Sequence, residues 1–418
     1  KLASFSWVVK DEDAGDVLVC LREGERLALA YARSEETAWR RARAGLELNP
    51  WQEAAQRLAF YRRVPALPDA SRQRLLNKCV SVMRVNTLAP EGAIRHSWTT
   101  PDRVPHKDMW LWDTVFHSWA LNRLAPRVAW DSLRAMLETQ QPDGMIPHQS
   151  SVKGWHSRIT QPPLLAWGVW ENYRVTQNRA ALEFALPRLE AYLDWDCAQR
   201  DQNSNGLLEW FIEEHELCRS GESGMDNSPR FDAATPLDAV DFSTFAALDM
   251  GYVAQIAAAL GQEDKARAWA ERARRLSEAI HRELWDEEDG FYYDRDLQGR
   301  FSRVPAVSGF LPLLLDDIPP QRVARLVAWL KDPAEFGTAF PVPSVAASHP
   351  AHSSDMWRGA TWLNFNYLII LGLRRQGRDE EAQWLKEKTL HYVNHYYEHY
   401  GVIFEFFDSQ DQRPPTLC

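Results

Sequence analysis

The stretch ARAWAERARRLSEAI, residues 266–280, shows the pattern that decides the fold. Its apolar residues recur at intervals of three or four positions, at Ala266, Trp269, Ala273, Leu276 and Ile280. Because an α-helix turns once every 3.6 residues, this spacing draws one apolar stripe along a helix. Arginines and glutamates occupy the other faces, so the stretch predicts a helix that packs on one side and meets water on the other.

Comparable patterns cover most of the chain beyond about residue 70. Apolar residues repeat at the same intervals in Leu182–Leu193 and Phe245–Ile256. Glycines and prolines stand where helices would end or begin, at Gly261, Gly377, Pro126 and Pro319–Pro320. The pattern gives roughly eleven or twelve helices, paired by short turns, with long polar loops after alternate helices. We therefore predict a mainly α fold, a barrel of helical hairpins, rather than a superhelical array, because no repeat of fixed period is present.

The first residues follow a different pattern. Three short stretches that are apolar or alternate with polar residues predict β-strands: Ser4–Lys10, Asp16–Arg22 and Arg26–Ala32. From Ser34 the spacing becomes helical and continues towards Pro65, which predicts a linker helix. We therefore expect a small β-containing appendage at residues 1–65 and the barrel, as catalytic domain, at residues 66–418.

Composition narrows the class of partner. The 418 residues carry a net charge of −10, whereas nucleic acids and anionic membranes require clustered positive charge. The chain is rich in aromatic rings, with 19 Trp, 12 Tyr and 17 Phe. Many of these rings fill the core, but flat aromatic walls also pack against the apolar faces of sugars. The expected partner is a small neutral saccharide or glycoside, and neither nucleic acid nor membrane.

Five scattered cysteines bear on location: Cys20, Cys79, Cys197, Cys218 and Cys418. An odd number without a paired motif is typical of free thiols in a reducing compartment, so we expect a cytoplasmic protein. No stretch approaches the run of about 18 apolar residues that crosses a bilayer. The sequence leaves the oligomeric state open.

Two loop segments supply carboxyl groups suited to acid–base chemistry. ESGMDNSPRFD, residues 222–232, is rich in turn-forming residues, so Asp226 projects from irregular backbone. In FEFFD, residues 404–408, aromatic neighbours would partly desolvate Glu405. Each has a plainer explanation, because Asp226 also suits a solvated turn and Glu405 an outward position on a short strand. Hydrolysis of a glycoside requires two such groups on opposite sides of the bond.

Further loop residues suit a sugar-binding pocket. Trp110, Trp112 and Asp113 combine indole rings with a carboxylate that accepts hydrogens from two sugar hydroxyls. Gln161 and the pair Trp357–Arg358 stand at predicted junctions between loops and helices. The alternatives are that Trp112 belongs to the core and that Arg358 pairs with a structural carboxylate.

DQNSNGLLE, residues 201–209, resembles the start of a calcium-binding loop. Oxygen-bearing side chains fill positions one, three, five and nine, at Asp201, Asn203, Asn205 and Glu209. Position twelve is Ile212, so the usual bidentate acid is missing and a distant carboxylate would have to complete the shell. A metal-free turn is the alternative. No phosphate loop, GxGxxG or GxSxG motif occurs, and no cofactor for catalysis is expected.

Taken in order, six motifs resemble glycoside hydrolase family 63, and more distantly the family 37 trehalases. They are PHKDMWLWD (105–113), GMIPH (144–148), QPP (161–163), ESGMDNSPRFD (222–232), DMWRG (355–359) and FEFFD (404–408). The resemblance implies an (α/α)6 barrel that inverts the anomeric carbon without a catalytic cofactor. The chain departs from the pattern at Phe406–Phe407, where relatives often have Tyr, and at Ser409, where they have Pro.

The resemblance also implies roles for single residues. Asp226 matches the family's general acid, Glu405 its general base, and Asp113 the carboxylate that holds sugar hydroxyls. The substrate-binding set would be Trp110, Trp112, Asp113, Gln161, Glu222, Trp357 and Arg358. Some relatives carry an Asp/Asn/Asn calcium loop, which favours a structural calcium ion at Asp201, Asn203 and Asn205.

These observations predict an inverting, exo-acting α-glycosidase of the α-glucosidase type. Hydrolysis of mannosylglycerate or glucosylglycerate is a narrower alternative, which needs a cation for the glycerate carboxylate at Lys153, Arg158 or Arg230. A sugar epimerase or isomerase on a helical barrel is an alternative of another class, because several histidines suit acid–base work: His106, His117, His148, His156 and His352. A binding protein without turnover is disfavoured because both carboxyl groups are present.

Overall fold

The computed structural model describes residues 4–12, 15–215 and 217–417 of the chain. The chain divides into two compact units, Lys1–Leu67 and Pro68–Cys418. The predicted fold class is confirmed, since the larger unit is a mainly helical barrel and the smaller one contains a three-stranded sheet. Of the predicted thiols, Cys20, Cys79, Cys197 and Cys218 are free, and Cys418 lies outside the described residues.

The smaller unit is an antiparallel sheet with two helices after it. Strands β1 (Phe5–Asp11), β2 (Asp16–Glu23) and β3 (Arg26–Ala32) pair in that order, close to the predicted ranges. Helix α1 (Glu35–Glu47) buries its alanine face on the sheet. The prediction of one linker helix was wrong, because a second helix, α2 (Pro50–Tyr61), starts separately. The Asn49 side chain accepts hydrogen bonds from the first amides of α2, and a proline at its first position favours a new start.

The larger unit contains ten α-helices, all within the described ranges. They are α3 (Ala70–Val85), α4 (Leu111–Leu124), α5 (Pro126–Leu137), α6 (Leu165–Thr176), α7 (Arg179–Gln199), α8 (Val240–Ala259), α9 (Glu263–Glu283), α10 (Pro320–Lys331), α11 (Leu363–Arg375) and α12 (Asp379–Tyr400). The apolar stripe of residues 266–280 lies on α9, where Trp269 and Ile280 are buried. Gly261 ends α8 and Gly377 ends α11, each with the positive φ that glycine tolerates.

The helices form pairs, with one member of each pair towards the barrel centre. Helices α4, α6 and α8 contact one another in order, and the 3-10 segment Val307–Leu314 joins α8 to α11. The ring closes where Trp112 of α4 lies against Phe365 of α11, with ring centroids 6.4 Å apart. Helix α8 is buried on nearly all sides, as expected of an inner helix. None of the helices in the described ranges is long and apolar enough to span a membrane.

Pairs of very short strands tie the loops together at one end of the inner helices. They are β4 (Thr87–Leu88) with β5 (Trp98–Thr99), β6 (Met109–Trp110) with β7 (Gln149–Ser150), β8 (Leu237–Asp238) with β11 (Arg295–Asp296), β9 (Trp285–Asp286) with β10 (Phe291–Tyr292), and β12 (Thr361–Trp362) with β13 (Phe406–Phe407). Strands β6, β8 and β12 each come directly before an inner helix or within one residue of it. The loops that carry the sequence motifs therefore gather at the N-terminal ends of α4, α8 and α11.

Candidate active site

Asp226 lies on a tight turn between two 3-10 segments, Gly221–Ser223 and Pro229–Phe231. Gly224 enters this turn with φ +69°, and a Cβ atom there would lie 2.5 Å from the indole of Trp112. The turn therefore rests directly on that ring, which explains why the position is glycine. The carbonyl of Asp226 accepts a hydrogen bond from the amide of Arg219 at 2.9 Å, which fixes the turn from its other side.

Glu405 lies between the end of α12 and strand β13. Helix α12 ends at Gly401, which adopts a left-handed conformation and turns the chain back. Two residues of β13 then pair with β12, and the rings of Phe406 and Trp362 stack with centroids 4.9 Å apart. Glu405 lies at the edge of this aromatic layer, where its side chain reaches solvent while the surrounding protein still removes part of its hydration.

A chain of side-chain contacts connects the two carboxyl-bearing segments. Asn227, next to Asp226, accepts a hydrogen bond from the amide of Trp357 at 3.0 Å and donates to Asp355 at 3.0 Å. The ring of Trp357 stacks on Trp362, with centroids 3.8 Å apart. Trp362 is the residue that pairs with the strand following Glu405. Segments nearly 180 residues apart in sequence (226 to 405) are thus held by one continuous set of contacts.

Three carboxyl groups interact electrostatically at this end of the barrel. Burial raises the pKa of Asp226 to about 6, with further contributions from the negative charges of Glu213 and Glu405. Burial likewise raises the pKa of Asp113 to about 7, and the charges of Glu405 and Asp226 add to the effect. Burial also raises the pKa of Glu405, while the ring of His106 lowers it. The structure therefore brings together the three acidic residues named from the sequence.

Sequence reasoning missed two groups that act on these carboxyls. His106 appeared only as an epimerase candidate, yet its Nδ1 lies 2.9 Å from Asp102 Oδ2 and its ring packs edge-on against Trp110. The spacing of four residues between Asp102 and His106 is a sequence signal that predicts such a pair. The charge of Glu213 acts on Asp226 from a separate part of the loop. No local sequence pattern marks that interaction.

The predicted pocket residues surround the Asp226 turn. Trp110 caps the N-terminus of α4, so Trp112 and Asp113 lie in the first helical turn and not in a loop. The amide of Trp112 donates to the side-chain oxygen of Gln161 at 3.3 Å. The ring of Trp112 lies 6.5 Å from that of Trp357. The aromatic and amide groups therefore form one wall beside the carboxyls.

Glu222 has different surroundings from those expected of a substrate-binding residue. Its side chain is fully buried and forms an ion pair with Arg200, with oxygen and nitrogen 2.8 Å apart. It also accepts hydrogen bonds from the amides of Thr160 and Phe211 at 3.0 and 2.8 Å. The carboxylate joins three loops to one another, which gives it a structural role in place of the predicted contact with substrate.

Two arginines near the Asp226 turn also bind protein groups. Arg358 donates to both oxygens of Asp232, at 2.8 and 2.7 Å, which matches the structural alternative raised from the sequence. Arg230 is buried between Asp241 and Asp294, with each nitrogen–oxygen distance 2.6 Å. The prediction that Arg230 could bind the glycerate carboxylate was wrong, because its guanidinium is enclosed and its charge is already neutralised by two aspartates.

The predicted calcium loop is closed by hydrogen bonds of its own. The carboxylate of Asp201 accepts from the amides of Asn205 and Gly206, both at 3.0 Å. The side-chain amides of Asn203 and Asn205 donate to Asp238 at 3.1 and 2.8 Å. Within the described ranges, no three His, Cys, Asp or Glu side chains are grouped as metal ligands. A calcium ion here would depend on amide and backbone oxygens as well.

Two carboxyl groups beside a set of aromatic rings are typical of glycoside hydrolases. The family model for the "Mannosylglycerate hydrolase MGH1-like glycoside hydrolase domain" matches residues 105–414. The chain therefore belongs to this family and is a glycoside hydrolase of family 63, as the motifs predicted.

Curated relatives share about a quarter of their residues with the chain. The mannosylglycerate hydrolase of Thermus thermophilus is 26% identical over 396 residues, which cover 75% of this chain and 91% of the relative. The glucosylglycerate hydrolase of Mycolicibacterium hassiacum is 24% identical over 432 residues, covering 78% and 92%. An uncharacterised protein of Borreliella burgdorferi is 28% identical over 233 residues, and the chain covers 47% of its length.

Solved structures show the same fold. The crystal structure of the mannosylglycerate hydrolase from Thermus thermophilus in complex with glucose superposes with a TM-score of 0.69 and 24% identity, covering 81% of this chain and 95% of that one. The neutral trehalase of Saccharomyces cerevisiae gives 0.63 and 16% identity, covering 75% and 70%. The predicted relation to both families is thus confirmed at the level of fold.

Proposed function

We propose that the chain hydrolyses an α-glycosidic bond with inversion and that its substrate is mannosylglycerate or glucosylglycerate. The observation that supports the chemistry most is that Asp226 interacts electrostatically with Glu405, while the Asp226 turn rests on the ring of Trp112. The family model and the names of two relatives favour the glycerate alternative over a general α-glucosidase. Membership of a hydrolase family also disfavours the epimerase alternative.

The two carboxyl groups would divide the work of the reaction. Asp226, with a pKa of about 6, keeps its proton to a useful extent near neutral pH and would donate it to the leaving glycerate oxygen. Glu405 is exposed and would take a proton from the attacking water on the opposite side of the sugar ring. Asp113 and Gln161 would hold sugar hydroxyls, and Trp112 and Trp357 would pack against the ring.

A charged leaving group requires a cation near the site. Lys153 and Arg158 are exposed residues of the loop that precedes Gln161, and no carboxylate within the described ranges pairs with either. Since Arg230 is enclosed, these two are our candidates for binding the glycerate carboxylate. Arg158→Ala should raise KM for a glycerate glycoside about tenfold and leave KM for a neutral glycoside unchanged. Equal effects on both substrates would remove Arg158 from this role.

The proposed reaction can be tested by following the first-formed sugar. Purified protein is mixed with mannosylglycerate, glucosylglycerate, maltose and trehalose, and proton NMR records the anomer released within the first turnovers. We expect rapid cleavage of a glycerate glycoside with the β-anomer appearing first. Appearance of the α-anomer first would mean retention, and preferential cleavage of maltose would restore the general α-glucosidase assignment.

We also propose that Asp201, Asn203 and Asn205 bind a structural calcium ion together with nearby carboxylates. Burial raises the pKa of Glu209 to about 7, and the charges of Asp238 and Asp201 raise it further. One oxygen of Glu209 is buried without a hydrogen-bond partner in the described part of the chain. A divalent cation would neutralise this group of like charges.

The calcium proposal is tested by thermal unfolding in calcium and in a chelator. Saturating calcium, at about a hundred times its Kd, should stabilise the protein by about 2.7 kcal/mol and raise Tm by a few degrees. The effect should disappear in Asp201→Asn. An unchanged Tm in the wild-type protein would show that the turn is metal-free.

A further inference from the structure

The inner helices carry a second set of polar residues at the ends opposite the active site. Helices α4, α6 and α11 begin at or beside the motifs PHKDMWLWD, QPP and DMWRG and have arginine in their last turns: Arg123, Arg174, Arg374 and Arg375. Arg123 follows Asp113 on α4, and this separation corresponds to roughly 15 Å along a helix axis. The arginines therefore lie well away from Asp226 and Glu405.

These helix ends surround a cavity of about 650 Å³. Aromatic side chains form much of its wall: Trp119, Trp167, Tyr252 and Tyr367. Trp167 and Tyr252 are stacked with centroids 5.5 Å apart, and Trp119 lies 5.9 Å from Tyr367. A smaller cavity of about 270 Å³ shares Tyr252 and Arg375 with it. The volume and the flat walls suit a ring compound.

Among the residues that the structure describes, two of the four arginines have no acidic partner. Arg174 is paired with Glu171 at 3.1 Å, and Arg375 donates to both oxygens of Asp316. No carboxylate within the described ranges pairs with Arg123 or Arg374. Arg123 and Arg374 both line this cavity, together with Glu171, the carboxylate that pairs with Arg174. The cavity thus carries a local excess of positive charge, although the net charge of the whole chain is −10.

We propose that this cavity is a second binding site, for a small phosphorylated ring compound. The phosphate would bind Arg123 and Arg374, and the ring would pack on Tyr367 and Trp119. A phosphate dianion matches two uncompensated guanidinium charges, whereas a carboxylate supplies only one. Cations also stabilise helix C-termini, which explains arginine in a last turn. That effect does not require two unpaired arginines to share one aromatic cavity.

The test is calorimetric titration of the full chain with four probes: glucose 6-phosphate, adenosine monophosphate, inorganic phosphate and glucose. We expect one of the two phosphorylated rings to bind at least about tenfold more tightly than inorganic phosphate, and glucose not to bind at this site. The double variant Arg123→Gln/Arg374→Gln should weaken that binding tenfold or more. Arg267→Gln, which alters an exposed arginine on α9, serves as the matched control. Binding should be unchanged in Asp226→Asn, because that residue lies at the other end of the barrel.

Several results would overturn the proposal. The double variant could bind the ring compound as tightly as the unmodified protein does. Inorganic phosphate could bind as tightly as the ring compounds, or neither ring compound could bind at about 10 mM. Loss of binding in Asp226→Asn would mean that the probe occupies the active site. If the double variant does not fold, Tyr367→Leu replaces it, since Tyr367 is 45% exposed and its ring should contribute to binding without being needed for folding.

Discussion

The Asp226 turn and the Glu405 strand end carry the same kind of carboxyl group in different surroundings. Asp226 is partly buried against Trp112, and the loss of hydration raises its pKa to about 6. Glu405 reaches solvent, and the nearby ring of His106 opposes the rise in pKa that its partial burial causes. Hydration and neighbouring charge distinguish the two groups, so the local fold favours one as proton donor and the other as proton acceptor.

The largest predicted effect comes from removing either proton-transfer group. Asp226→Asn and Glu405→Gln should each lower kcat by about 10³-fold or more, because each loses one proton-transfer step. Glu287→Gln, at an exposed carboxylate that pairs with Arg322, should retain full activity. Steady-state rates and far-ultraviolet circular dichroism measure activity and folding in the same preparations.

The two variants should differ when the leaving group no longer needs a proton. An α-glycosyl fluoride should restore much of the rate to Asp226→Asn and little to Glu405→Gln. The opposite result would exchange the two roles. Near-normal turnover of either variant on the glycerate glycoside would remove that residue from the mechanism.

A smaller effect should follow from displacing the acid turn without changing its chemistry. In Gly224→Ala the new methyl group would meet the Trp112 ring, so the turn must shift, and a shift of about 1 Å can lower the rate about a hundredfold. Gly261→Ala is a matched control, because Gly261 has a similar φ of +75° and nothing within 4 Å of a Cβ atom. Gly261→Ala should lose only the stability that a positive φ costs and keep its kcat, whereas Gly224→Ala should lose more stability and also kcat. Equal kcat values would show that the Gly224–Trp112 contact does not position Asp226.

The smallest predicted effect concerns pH. Activity should fall at high pH as Asp226 loses its proton, with a midpoint near its pKa of about 6, and at low pH as Glu405 gains one. The charge of Glu213 raises the pKa of Asp226, so Glu213→Gln should lower that pKa and move the high-pH limb of kcat/KM downward by less than about one unit. Glu214→Gln, at the adjacent exposed residue, should leave the profile unchanged. A shift of the low-pH limb alone would contradict the assignment of Asp226.

The features that the sequence predicted best are those that depend on a local pattern of residues. The helical stripes located α7, α8 and α9, and the turn residues around Asp226 indicated irregular backbone. Asp113 interacts electrostatically with Asp226 and Glu405, but α4 begins earlier than expected and takes Trp112 and Asp113 into its first turn. The break between α1 and α2 was missed although Asn49 and Pro50 mark it.

Contacts between distant segments were not predictable from pattern. Glu222 belongs to the same motif as Asp226, yet it binds Arg200 inside the protein. Nothing local distinguishes a carboxylate that will be enclosed from one that will face a pocket, because burial is set by the other loops. The hydrogen bond from Asn227 to Asp355 and the stacking of Trp362 on Phe406 are likewise contacts between distant segments that no local pattern predicts.

The aromatic connection between the Asp226 turn and the strand after Glu405 has a consequence for biosynthesis. A ribosome releases the Asp226 loop long before the residues around Trp357, and the Phe406 strand emerges later still. Helical hairpins in the nascent chain have local partners and can form early, whereas the two carboxyl groups gain their shared surroundings only after the final hairpin docks. A partly synthesised chain would therefore resemble the finished barrel in helix content while lacking its hydrolytic centre.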